Sequence, residues 1–77
     1  MAMKHVSDFL VVKAQHEWNQ NRSGPWSHEL LAQWTGQSEM VCFRCLKRAV
    51  NNGFLEYDTT VRASWLTEEG RALLGLK

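Results

Sequence analysis

The four residues Thr35-Gly36-Gln37-Ser38 separate two stretches that each carry a helical apolar pattern, and this break constrains the fold more than any other feature. Upstream, Leu30, Leu31 and Trp34 are spaced for one side of a helix, and Ala32 allows a neighbour to approach closely. Downstream, Cys42, Cys45, Leu46, Ala49 and Val50 recur at i, i+3, i+4, i+7 and i+8, the stripe of an amphipathic helix. Gly36 reaches positive φ at little steric cost and so ends the first helix. Ser38 is a good N-cap for the second helix, and Ser27 for the first. Two helices joined by so short a turn containing Gly form a helix-turn-helix.

The flanking segments extend this unit. Val6, Phe9, Leu10, Val12, Lys13 and Trp18 give an imperfect helical stripe from about Val6 to Asn19, with Ser7 or Lys4 before its first turn. Asn19 to Pro25 is turn chemistry. The helix after Ser38 is expected from Glu39 to about Asn52, with Gly53 as the glycine just past its end. "FLEYD" and "VRASWL" then alternate apolar and polar residues around Thr59-Thr60, which predicts a short hairpin. Its turn lacks an Asn-Gly or Asp-Gly pair, so its register stays open. Tyr57 and Trp65 are expected on the face packed against the helices. Thr67 caps a last helix, "EEGRALLGL", with two acids in the first turn where the dipole favours them.

These elements predict a mostly α single domain over residues 1–77, with three core helices, a short β-hairpin and a C-terminal helix. A chain of 77 residues has a small core, and its four Trp residues supply large burial per residue. No stretch approaches the roughly 18 apolar residues of a membrane span. The N-terminal run reads as a folded helix rather than a signal peptide, and two Cys three apart do not make a disulfide framework; a cytoplasmic location is expected.

"ELLAQWTGQSEMVCFRCLKRAVNNGFLEY" followed by "LTEEGRALL" resembles the winged helix-turn-helix superfamily, nearest to the MarR-like and related small bacterial or phage regulators. The resemblance covers residues 27–74. It implies that Glu39–Asn52 is a recognition helix, that Asp58–Arg62 is a wing tip, and that the partner is double-stranded DNA. The chain departs from the MarR pattern in lacking the extra terminal helices used for dimerisation, so a monomer or weak homodimer is expected. It also places Phe43 where an exposed, groove-facing residue belongs.

Charge sharpens the expectation. The chain is only +1 overall, but residues 38–52 carry Arg44, Lys47 and Arg48 against Glu39, a local +2. With Cys42, Cys45, Leu46 and Ala49 inward, Glu39, Met40, Phe43, Arg44 and Lys47 face outward. Arg44 is placed to read guanine, and Lys47, Arg48 and the wing's Arg62 to hold phosphates. Ser38, Gln37 and Thr35 sit where a helix N-terminus meets phosphate. Met40 and Phe43 fit thymine methyls, but they equally fit a protein partner, which is the competing class of function. A slightly rotated helix would instead make Phe43 a core residue. The Cys42/Cys45 pair has no second pair to complete a zinc site, His5, His16 and His28 are scattered, and Cys42 lies a full turn inside its helix rather than at a redox position. The thiols therefore read as packing, with no metal or cofactor. No enzyme motif is present, and Glu68 and Glu69 read as helix-start acids.

Overall fold

The computed structural model describes residues 6–76. Lys4 and His5, invoked above, lie outside them. The order is α1 (Asp8–Gln20), α2 (Ser27–Thr35), α3 (Glu39–Asn51), β1 (Leu55–Glu56), a 3₁₀ turn (Val61–Ala63), β2 (Trp65–Leu66) and α4 (Glu68–Leu73). Three helices followed by a two-stranded antiparallel hairpin and a short helix make a mostly α fold with a winged helix-turn-helix arrangement.

Ser7 starts α1, its Oγ accepting the Leu10 N–H at 3.2 Å. The buried face differs from the expected stripe: Val11, Val12, Ala14, Gln15 and Trp18 point inward, while Phe9 is exposed. The difference turns on Gln15, a polar residue the apolar pattern discounts. Its Nε2 donates to the Ser64 carbonyl at 2.8 Å, and its Oε1 accepts the Ser27 hydroxyl at 2.6 Å. One buried amide thus joins α1, the start of α2 and the approach to β2, with both of its ends satisfied.

This bond also explains why Ser27 is not the N-cap. Ser27 is the first residue of α2 and fully buried, and Trp26 holds the cap position. The Glu29 carboxylate accepts the Trp26 N–H at 2.9 Å. The turn between α2 and α3 follows the expectation. Gly36 has φ +77°, and its N–H donates to the Ala32 carbonyl. Ser38 Oγ accepts the Val41 N–H at 3.2 Å and starts α3. Cys42, Leu46 and Ala49 are fully buried, and Cys45 and Val50 are half-buried beside them. Past Asn52, the Gly53 N–H donates to the Val50 carbonyl and the Phe54 N–H to the Ala49 carbonyl, with Gly53 at φ +86°. These two bonds satisfy carbonyls that the end of a helix otherwise leaves open.

The hairpin is shorter than expected. Leu55 pairs with Leu66 and Glu56 with Trp65. Pleating puts the two leucines on the core side, so Trp65 turns outward; Tyr57 and Trp65 are 44% and 41% exposed, not core. The segment expected to continue as strand forms the 3₁₀ turn instead and buries Val61 in the core cluster. In α4, Thr67 Oγ accepts the Gly70 N–H and donates to the Gly53 carbonyl, which seats this helix against the exit of α3.

Candidate functional site

The outward side of α3 carries Met40, Arg44, Lys47 and Asn51, all exposed. They recur at i, i+4, i+7 and i+11, one line along a helix opposite Cys42, Leu46 and Ala49. Arg44 Nη2 lies 3.7 Å from Met40 Sδ, so the two side chains run together along the surface. At the C-terminal end this line meets the hairpin: Lys47, Val50, Asn51, Tyr57 and Val61 border one depression of about 230 Å³. Asn51 and Tyr57 are therefore neighbours of the basic residues. Asn51 is not among the expected contact residues, and Tyr57, expected in the core, is exposed. The outward period of α3 reaches Asn51, so that signal was available.

Phe43 is half-buried and packed against the core cluster. Its ring meets His28 edge-on at 5.7 Å between centroids, and Lys47 Nζ lies 5.6 Å from its centre. It faces the α2 side of α3, about 80° away from the line through Met40 and Arg44 on a helix of 3.6 residues per turn. The expectation of an outward Phe43 is corrected to a flank residue that supports Lys47 from beneath.

Arg48 is also drawn out of the expected contact set. Its Nε donates to Asp8 Oδ1 at 2.9 Å, and its Nη2 bonds the Val6 carbonyl. Asn52 Nδ2 donates to the other Asp8 oxygen at 2.8 Å. Arg48 thus ties the start of α1 to the end of α3 and is not the unpaired phosphate anchor expected of it. Arg48–Asp8 is the one side-chain ion pair among the described residues, so Arg44 and Lys47 have no acid partner there.

Arg62 lies in the 3₁₀ turn, exposed, with its guanidinium 4.9 Å from the Trp26 ring centre. Trp26 stacks on Trp18 at 4.9 Å, and Arg22 lies 5.1 Å from the Trp18 centre. Arg62 therefore belongs to a column of two indoles and two guanidinium groups rather than to an extended wing tip. Stacking leaves the charge available, because a guanidinium over an indole keeps its N–H groups in plane. Ser38 is exposed, and its hydroxyl hydrogen stays available while the oxygen caps α3. The Thr35 hydroxyl is engaged: it donates to the Leu31 carbonyl at 2.7 Å and accepts the Gln37 N–H at 3.2 Å.

The hairpin has the opposite charge. A groove of about 860 Å³ runs between the end of α3, the hairpin and α4, with Glu56, Asp58, Glu68 and Glu69 in its walls beside Tyr57 and Trp65. Cys42 and Cys45 are both free thiols. Burial pushes the Cys42 thiol above its ordinary value, which is the reverse of what a reactive thiolate needs. The fold also gathers His28, Glu29 and Glu39, one ligand atom of each lying within 4.8 Å of the others. No family model, curated protein or solved structure matches the chain.

Proposed function

We propose that this chain is a small double-stranded-DNA-binding protein that lays α3 in the major groove, acting as a bacterial or phage transcriptional regulator or accessory DNA-binding protein. The observation that carries the reading is the exposed line of Arg44, Lys47 and Asn51 on α3 with no acid partner among the described residues. Guanidinium and amide groups on one helix face match the guanine and adenine edges of the groove, and an ammonium matches phosphate. In this reading Arg44 reads guanine, Lys47 and Arg62 hold phosphates, and Ser38 with the N-terminal amides of α3 holds another. Met40, 66% exposed, meets a thymine methyl. Arg48 contributes by fixing α3 against α1, not by touching DNA.

The acidic groove restricts the approach. Glu56, Asp58, Glu68 and Glu69 repel phosphates, so the duplex engages the exposed line of α3 more closely than the hairpin. The protein acts by binding rather than by catalysis, in the cytoplasm, as a monomer or weak homodimer. No helix of the described residues is long and apolar enough to cross a membrane.

A protein partner on the same helix is the competing reading, and the exposure of Met40 favours it. The aromatic anchor that reading needs, Phe43, is held against His28 and the core. Selection of duplexes from a random pool separates the two. The DNA reading predicts an enriched motif with a guanine whose preference relaxes in Arg44→Ala, at a cost of about 1–3 kcal/mol on the selected site only. A pool that never enriches, from protein that is folded, rejects it.

A further inference from the structure

We infer that His28, Glu29 and Glu39 form a binding site for a divalent transition-metal ion of the zinc class, at the adjoining N-terminal ends of α2 and α3. Three features meet there. His28 is only 9% exposed, and its Nδ1 is buried without a hydrogen-bond partner, one of two such side-chain atoms among the described residues. A buried ring nitrogen left unpaired is unfavourable, and the same ring brings a nitrogen to the two carboxylates. Two carboxylates stand next to the ring, with one ligand atom of each residue inside 4.8 Å of the others. Their two negative charges match one divalent ion.

The geometry needs little adjustment. Zinc bonds of about 2.0–2.2 Å set tetrahedral ligand atoms roughly 3.3 Å apart, so the side chains must close by about 1.5 Å or less. Glu39 is exposed at the first position of α3 and is free to rotate inward. Glu29 gives Oε1 to the Trp26 N–H and keeps its second oxygen for the ion. The His28 ring is fixed edge-on against Phe43. Three protein ligands leave a fourth position for water. Imidazole favours zinc-class ions over magnesium and calcium, which prefer all-oxygen shells. Neither cysteine belongs to this set.

The ion would join the start of α2 to the start of α3 across the turn at Gly36. It would brace the helix that carries Arg44 and Lys47 without touching their outward line.

The test titrates Zn²⁺ into metal-stripped full-length protein against a chromogenic chelator and follows thermal unfolding in parallel. The expected result is one ion per chain and a midpoint that rises with Zn²⁺ but not with Mg²⁺. Glu39→Gln, an exposed change that keeps the fold by circular dichroism, should weaken binding by about tenfold or more. His28→Asn should do the same. A Cys42→Ser/Cys45→Ser variant and a His5→Asn/His16→Asn variant should bind as the parent does, and Co²⁺-loaded protein should lack thiolate charge-transfer absorption. Failure to bind stoichiometric zinc overturns the inference. So does binding that survives Glu39→Gln undiminished, or binding lost with the cysteines.

Discussion

Gly70→Ala tests the packing that holds the hairpin and α4 together, and it does so by sign. In an open helix, alanine is better than glycine by about 1 kcal/mol. Gly70 is buried in α4, and a Cβ built there would lie 2.2 Å from the Phe54 carbonyl oxygen and 3.4 Å from Leu66 Cβ. The first contact is with backbone, which cannot rotate away. That carbonyl also accepts the Thr67 N–H at 3.1 Å, and the Thr67 hydroxyl donates to the Gly53 carbonyl at 2.6 Å. Relief requires α4 to move by roughly 1 Å, which strains both bonds. Overpacking of this kind costs about 1–3 kcal/mol, and the two bonds contribute about 0.5–1.5 kcal/mol each. Set against the helix gain, a net loss of about 2–3 kcal/mol follows, or a fall in Tm of roughly 10–20 °C for a domain of this size. Thermal unfolding by circular dichroism measures it. A Tm that stays level or rises would mean that α4 does not sit against the exit of α3 as described.

Other substitutions probe separate ties. Gln15→Leu should lower stability by about 1–3 kcal/mol in chemical denaturation, because it leaves the buried Ser27 hydroxyl without its acceptor and the Ser64 carbonyl with only the Asn19 amide; a neutral result would contradict the buried amide bridge. Arg48→Ala should cost only about 1 kcal/mol, since the Arg48–Asp8 pair is partly exposed, and this too is read from denaturation. Burial raises the Cys42 pKa in the folded chain above its ordinary 9.0, so the stability it contributes is complete below that pH and is lost as pH rises through the folded value. The unfolding midpoint should therefore fall in alkali, and Cys42→Ala should flatten that decline.

The helical framework was legible because its signals are local. Gly36, Ser38, Gly53 and Thr67 act through their own φ or through a neighbouring amide, and the structure places each as the sequence implies. What was illegible depends on partners distant in the chain. Gln15 is core because Ser27 and Ser64 come to it, and Ser27 is lost as a cap for the same reason. Arg48 reads as a free cation until Asp8 is brought against it. Trp65 and Tyr57 were misplaced because a two-residue strand offers too short a run for alternation to decide which face is buried. His28 and Glu39 are eleven positions apart, and no ligand spacing rule joins them; the turn at Gly36 does.

In the proposed function α3 holds DNA through Lys47, while Arg48 serves the fold. Fluorescence polarisation of a labelled duplex, titrated at several salt concentrations, tests it most directly. Two phosphate anchors, Lys47 and Arg62, predict a slope of log K against log salt of about −2, at about −0.9 per phosphate. Lys47→Ala should reduce that slope by about 1, and Arg48→Ala should leave it unchanged. Absence of binding by folded protein at low salt, or a slope that answers to Arg48 and not to Lys47, would rule out this division of roles.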